Sequence, residues 1–208
     1  MAAEPQKLRA GRPRTGIDQT ILDVAERLAQ TRGFNGFSYA DIAAKLKVTK
    51  ASLHYHFPSK AELGRALIAR YHAVFGAALE EIIAKAPNAK DRLRRYVGLY
   101  DRVMSNNRMC LCGMLAAEYA TLPAAMQSEL RQFFDANQRW LTIVLEEGRR
   151  RGELSFRDSP QELARTLVGT LEGAMLVART YGDATWFRSA AHRALADLGI
   201  RQLTPAKS

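Results

Sequence analysis

Apolar side chains recur three and four residues apart along almost the whole of this chain, and this spacing constrains its fold more than any other feature. The first such stretch begins near Ile17. In it, Ile21 and Leu28 fall on one face of a helix. Gly33 then provides a stop signal. No segment shows the alternation of apolar and polar residues that is typical of a half-buried strand. The sequence therefore predicts an all-α fold.

Glycines, prolines and capping residues divide the helical pattern into about nine helices. The predicted helices begin at residues 17 and 38 and then span residues 50–57, 59–83, 91–106, 111–119, 123–151, 160–181 and 184–198. We expect a flexible basic arm over residues 1–16, a three-helix unit over residues 17–60, and a C-terminal helical bundle over residues 61–208.

The chain is strongly basic. Among its 208 residues, 31 lysines and arginines oppose 21 aspartates and glutamates, which gives a net charge of +10. Residues 1–72 carry 12 of the basic and 6 of the acidic side chains, so the first third has the higher charge density. Such an excess of basic over acidic side chains is typical of proteins that bind phosphate groups. The sequence shows neither a signal peptide nor a membrane-spanning apolar run, and we expect a cytoplasmic protein.

The motifs of common enzyme classes are missing from the sequence. It contains no nucleophile elbow, phosphate-binding glycine loop, zinc-protease motif or pair of catalytic acids, so we predict no enzyme activity and no cofactor. The two cysteines, Cys110 and Cys112, are separated by one residue, which fits neither a disulfide framework nor a zinc site. We predict no metal site.

Residues 38–57 have the pattern of a helix-turn-helix. A capping box begins at Ser38, the break at residues 47–49 ends the short helix, and Pro58 ends the next one. In this motif the second helix enters the major groove of DNA. Lysine can bind guanine, an alanine methyl can touch thymine, and serine, tyrosine and histidine can reach phosphates. The outward-facing candidates on this helix are Lys50, Ala51, His54 and Tyr55.

Residues 37–60, and above all residues 52–57 with Lys60, closely resemble the helix-turn-helix signature of the TetR/AcrR family of transcriptional repressors. The resemblance implies a homodimer on a pseudo-palindromic DNA operator, a ligand cavity in the bundle, and dimerisation through the last two long helices. It also implies that ligand binding moves the fourth helix. The DNA-contacting positions that it implies are Lys50, Ala51 and His54 at the bases and Ser52, Tyr55, His56 and Lys60 on the DNA backbone. Tyr39 is a further candidate for DNA binding. Lys47 stands where members of this family commonly have glycine.

Two features of the DNA-binding region leave alternatives open. His54 and His56 point to different sides of their helix, so one is expected to pack inside the unit while the other contacts phosphate. The arm residues Arg9, Arg12 and Arg14 either enter an adjacent minor groove or form a solubilising tail.

The bundle contains aromatic and sulfur-bearing residues at helical spacing. They are candidates for an effector pocket, and core packing is the alternative explanation for each of them. The candidates are Tyr96, Tyr100, Met104, Met114, Phe133, Trp140 and Met175. Small residues at Gly169 and Gly173 suit close helix approach, and we expect the dimer interface within residues 160–198.

Cys110 begins the predicted sixth helix, where the helix dipole and nearby Arg108 are expected to favour a thiolate. Residues 110–118 also resemble a segment of an electrophile- and oxidant-sensing branch of the same family, although Met114 stands where that branch often has asparagine. The alternative is a buried, inert thiol. Altogether the sequence predicts a DNA-binding repressor released by a small molecule or by thiol modification. A helical enzyme or ligand carrier, and a non-specific DNA binder, are the competing hypotheses.

Overall fold

The computed structural model describes residues 16–200, and all regular structure within that range is helical. The helices are α1 (Gly16–Arg32), α2 (Tyr39–Leu46), α3 (Lys50–His56), α4 (Lys60–Lys85), α5 (Ala89–Ser105), α6 (Leu111–Ala117), α7 (Ala124–Arg150), α8 (Pro160–Tyr181) and α9 (Thr185–Ala196), with one 3₁₀ turn at Tyr119–Thr121. The all-α prediction is confirmed. The predicted arm, with Arg9, Arg12 and Arg14, lies outside the described residues.

Local capping explains where several helices begin. The Asp41 carboxylate accepts a hydrogen bond from the Ser38 amide at 2.8 Å, which caps α2, and the Thr49 hydroxyl accepts one from the Ser52 amide at 3.2 Å, which caps α3. Lys47 ends α2 in the left-handed conformation, with φ at 54°. This conformation suits glycine best, which gives a physical reason for the glycine that the resemblance implies at this position.

The first three helices form a small unit around one apolar centre. Ile21 and Leu22 of α1, Ile42 of α2 and Leu53 of α3 are all buried there. Leu63, near the start of α4, is buried in the same continuous core. The α2–α3 pair is thereby held at a fixed angle, which its role as a helix-turn-helix requires.

The C-terminal bundle is built from α4, α5, α7, α8 and α9, and the short α6 packs between α1 and α7. With 26 residues, α4 reaches from the N-terminal unit into the bundle and belongs to both. Its apolar face remains buried along its length, from Leu67 through Phe75 to Ile82. Within the described residues, no helix is long and apolar enough to cross a membrane.

Candidate DNA interface and effector region

The outer face of α3 is open to solvent. Lys50, Ala51, His54 and Tyr55 are exposed, and Tyr55 keeps 69% of its surface. Leu53 lies on the opposite side of the helix and is buried. The helix therefore presents one polar and aromatic surface while its apolar side anchors it to α1 and α2. Such a surface can approach the base edges of a major groove without any rearrangement of the core.

A shallow cleft of about 350 Å³ lies beside this face, where the first turn of α2 meets α3 and the start of α4. It brings together four of the predicted site residues: Tyr39, Lys50, His54 and Lys60. The His54 ring lies against the Tyr39 ring, with 4.6 Å between centroids, and its Nδ1 is 3.2 Å from the Pro58 carbonyl oxygen. Tyr39 is itself buried, and its hydroxyl donates to the Phe57 carbonyl at 2.7 Å. Burial raises the pKa of Tyr39 to about 12.

Lys60 lies at the start of α4 and packs against the turn between α1 and α2. Its ammonium donates a hydrogen bond to the Phe37 carbonyl and lies 4.7 Å and 4.6 Å from the ring centroids of Phe34 and Phe37. Burial lowers the pKa of this lysine. The side chain therefore joins the start of α4 to the α1–α2 turn.

His56 faces the interior, which decides between the two histidines. Its Nδ1 is 2.6 Å from the Asp18 carboxylate, and both side chains are largely buried. The prediction that His56 contacts the DNA backbone is wrong, because its ring is already committed to α1. His54 is the outward histidine of the pair.

Most of the predicted effector residues form an aromatic core. Tyr96, Tyr100, Phe133 and Met175 are fully buried, and the Tyr96 hydroxyl lies 3.1 Å from that of Tyr100. Trp140 stacks on Tyr96 with 5.5 Å between centroids. In this conformation these side chains pack against one another. Met104 is different, because it lines an open cleft between α1, α5 and α8.

The environment of Cys110 contradicts the expected thiolate. The side chain is only 2% exposed, and burial together with the nearby Glu172 carboxylate raises its pKa well above the usual range. Arg108 donates to Gln30 Oε1 at 3.3 Å instead of stabilising the sulfur. The Tyr71 hydroxyl lies 3.6 Å from the sulfur. The thiol of this conformation is protonated and shielded.

Glu172, which was not predicted as a site residue, lies beside this thiol. Its carboxylate packs so closely over Gly113 that a Cβ there would lie 2.1 Å from Oε2. Its other oxygen, Oε1, is buried and has no hydrogen-bond partner. Burial raises the pKa of Glu172 to about 7. In the sequence, Glu172 could have been noticed as a single acid between Leu171 and Met175, which are two core positions of α8.

The contacts between the bundle and the end of α1 were also missed. The Glu118 carboxylate, which follows α6, accepts hydrogen bonds from the Phe34 and Asn35 amides at 2.9 and 3.1 Å. Arg179 of α8 donates to the Thr31 carbonyl, and the Met109 amide donates to the Gln30 carbonyl at 3.2 Å. The N-terminal three-helix unit is thus attached to the bundle through the end of α1 as well as through α4.

Comparison with known proteins decides the family. Residues 21–67 match the family described as bacterial regulatory proteins, tetR family, and residues 89–194 match the tetracyclin repressor-like C-terminal domain. The chain belongs to the TetR family. It is therefore a DNA-binding transcriptional regulator, and the helix-turn-helix at residues 38–57 lies within the matched N-terminal segment.

Individual transcriptional regulators agree with this assignment over most of the chain. Transcriptional regulator AcuR of Cereibacter sphaeroides is 30% identical over 186 residues, which cover 84% of both chains. HTH-type transcriptional repressor NemR of Escherichia coli is 27% identical over 168 residues, covering 76% of this chain and 82% of NemR. A TetR-family regulator from Agrobacterium tumefaciens has a TM-score of 0.84 at 33% identity, over 87% of this chain and 96% of that structure.

Proposed function

We propose that this chain is a homodimeric repressor that recognises a pseudo-palindromic operator through α3. The exposed face of α3 carries the proposal, because Lys50 and Ala51 occupy its first turn, where a recognition helix meets base edges. His54 and Tyr55 lie further along the same exposed face, within reach of bases or phosphates. NemR, a repressor by name, supports repression as the mode of regulation.

The surface of α8 and α9 supports the dimer. Val177, Tyr181 and Trp186 expose large apolar surfaces there, and the rings of Tyr181 and Trp186 stack at 4.4 Å. Gly169 and Gly173, on α8, have open space where a Cβ would lie. An apolar surface with small residues favours close approach of a second subunit.

The operator binding is testable by a gel-shift titration on the DNA just upstream of the gene, with scrambled competitor DNA at two salt concentrations. A repressor of this kind gives a discrete shifted band that resists the competitor. A band lost equally to competitor and to added salt supports the non-specific binder instead, because non-specific binding depends on phosphate charge alone.

We further propose that an effector weakens DNA binding. It is either a small molecule or an electrophile that modifies Cys110 when local opening exposes the thiol, which is buried in this conformation. When a thiol adds to an electrophilic double bond, a C–S bond forms and the thiol proton passes to the neighbouring carbon. The added atoms would lie among Tyr71, Gly113 and Glu172, where the chain is closely packed. Overpacking of a core costs roughly 1–3 kcal/mol, enough to shift the balance between two conformations.

Replacement of the Cys110 sulfur distinguishes release by thiol modification from release by a small molecule. We expect Cys110→Ser to bind the operator as the wild type does and to remain bound after treatment with N-ethylmaleimide, as measured by the same gel shift. Cys112→Ser, the matched control two residues away, should be released normally. Release of Cys110→Ser by the reagent would contradict the thiol mode and leave the small-molecule mode.

A further inference from the structure

A cleft of about 390 Å³ lies at the junction between the DNA-binding unit and the bundle. Its walls come from the end of α1, the segment between α5 and α6, and the end of α8. Gln30, Thr31, Met104, Arg108, Met109 and Arg179 are among its lining residues. The volume falls within the range of sites that hold small molecules. It lies apart from the aromatic core around Tyr96.

Two guanidinium groups face this cleft without a carboxylate partner. Across residues 16–200, neither Arg108 nor Arg179 has a carboxylate oxygen within 4.0 Å. Arg108 donates to the Gln30 amide oxygen, and Arg179 donates to the Thr31 carbonyl and, at 3.1 Å, to the Met114 sulfur. All these acceptors are neutral, and a thioether is a weak one.

Two arginines on α4 and α5 show the contrast. Arg70 reaches Asp23 and Glu26, each at 2.6 Å, and Arg92 reaches Glu147 at 2.5 Å. Charge-assisted bonds of this kind are about twice as strong as those to neutral acceptors. Arg108 and Arg179 therefore retain an unused capacity to bind an anion.

The remaining lining residues indicate the chemistry of the rest of the ligand. Met104, Met109 and Ala178 supply apolar surface beside the two arginines. One carboxylate, that of Asp183, also lines the cleft. Its oxygens accept hydrogen bonds from the Thr185 amide at 2.9 Å and the Thr185 hydroxyl at 2.6 Å, so it is engaged at the start of α9.

We propose that this cleft binds a small organic anion, namely a carboxylate with a short aliphatic body, through Arg108 and Arg179. The same two side chains hold Gln30 and Thr31 at the end of α1. A bound carboxylate competes with these neutral acceptors for the guanidinium groups and loosens the DNA-binding unit from the bundle. This consequence rests on the proposed repressor function, whereas the binding of the anion does not.

The binding is tested by calorimetric titration of the full chain with hexanoate, inorganic phosphate and hexanol. Hexanoate should bind saturably, phosphate more weakly because it lacks the apolar contact, and hexanol not at all. Arg108→Gln and Arg179→Gln should each weaken hexanoate binding at least tenfold. Arg165→Gln, an equal loss of charge on the exposed face of α8, should leave it unchanged.

Two results would overturn the site: the absence of saturable hexanoate binding to the wild type, or equal binding by the Arg108 variant and the Arg165 control. If Arg179→Gln melts early, Arg179→Lys is measured in its place, because it keeps the charge. We expect Arg179→Lys to bind hexanoate more weakly as well, because lysine cannot form the paired bonds of a guanidinium.

The consequence for DNA is measured separately, by fluorescence anisotropy on the operator with and without saturating hexanoate. Weaker DNA binding in its presence supports the competition at α1, and unchanged DNA binding contradicts it. A chain that binds no specific DNA at all overturns the repressor proposal, while the calorimetric result still decides the anion site.

Discussion

At the scale of single residues, Lys60 shows how a side chain that looks suited to DNA can instead serve the fold. Its ammonium is bound to the Phe37 carbonyl and to two aromatic rings. We expect Lys60→Ala to lower the free energy of unfolding by about 1–2 kcal/mol, the combined loss of a charged hydrogen bond and a cation–π contact. Urea denaturation measures this.

The control for Lys60 is Lys50→Ala, because Lys50 is exposed on α3 and should leave the stability unchanged. A loss of stability in Lys50→Ala and none in Lys60→Ala would contradict the structural role of Lys60. If Lys60→Ala were as stable as the wild type and bound every DNA sequence more weakly by the same factor, Lys60 would be a phosphate contact.

At the scale of elements, the contact between α6 and α8 buries the carboxylate of Glu172 beside Gly113. The pKa of Glu172 is raised to about 7 in the folded chain, from 4.5 in the unfolded chain, so the folded state binds the proton more tightly. The stability that this proton provides is full below pH 4.5 and is lost as the pH rises through 7. Glutamine mimics the protonated acid at every pH.

We therefore expect the stability of Glu172→Gln, relative to the wild type, to increase by about 2 kcal/mol between pH 5 and pH 8. Urea denaturation at the two pH values measures it. Glu80→Gln, on the exposed side of α4, should show no such change. A constant difference between Glu172→Gln and the wild type would mean that Glu172 titrates in the usual range.

The elements that were predictable from sequence are those with local signals at their ends. The bounds of α8 agree with the prediction at both ends, because Ser159 and Glu162 cap its start and Gly182 takes the left-handed conformation after its end. The sixth helix was predicted too long, to residue 119, and it gives way to a 3₁₀ turn. The Glu118 carboxylate is held there by amides 83 and 84 residues away, which no local pattern encodes.

The same distinction applies to the candidate site. The exposed positions of α3 that lie opposite Leu53 follow from helical periodicity, because Ala51 and Tyr55 must face outward when Leu53 is buried. The inward turn of His56 depends on Asp18, which is 38 residues away. The raised pKa of Cys110 depends on its burial and then on the nearby Glu172, whereas the sequence neighbour Arg108 suggested a lowered pKa. Long-range packing decides such features.

At the scale of the whole molecule, the apolar surface of α8 and α9 should join two subunits. Val177 is 45% exposed in the single chain. We expect Val177→Asp to shift the protein from dimer to monomer, because an unpaired carboxylate is costly in an apolar interface. Sedimentation velocity measures the mass against the 23.2 kDa of one chain.

The matched control is Val74→Asp on α4, where the valine is 64% exposed and lies outside the proposed interface. It should remain dimeric. Loss of the dimer in the Val74 variant alone would move the interface to α4, and dimers of both variants would exclude Val177 from it.

The central claim is that α3 recognises a particular DNA sequence, and fluorescence anisotropy with Lys50→Ala tests it most directly. The wild type, Lys50→Ala and Lys85→Ala are titrated onto the operator and onto a scrambled duplex of equal length. Lys85 is an exposed lysine at the far end of α4, so its variant loses the same charge. We predict that Lys50→Ala loses about 1–3 kcal/mol of operator binding and little on the scrambled duplex, while Lys85→Ala changes neither. Equal losses of Lys50→Ala on both duplexes would contradict sequence recognition through α3.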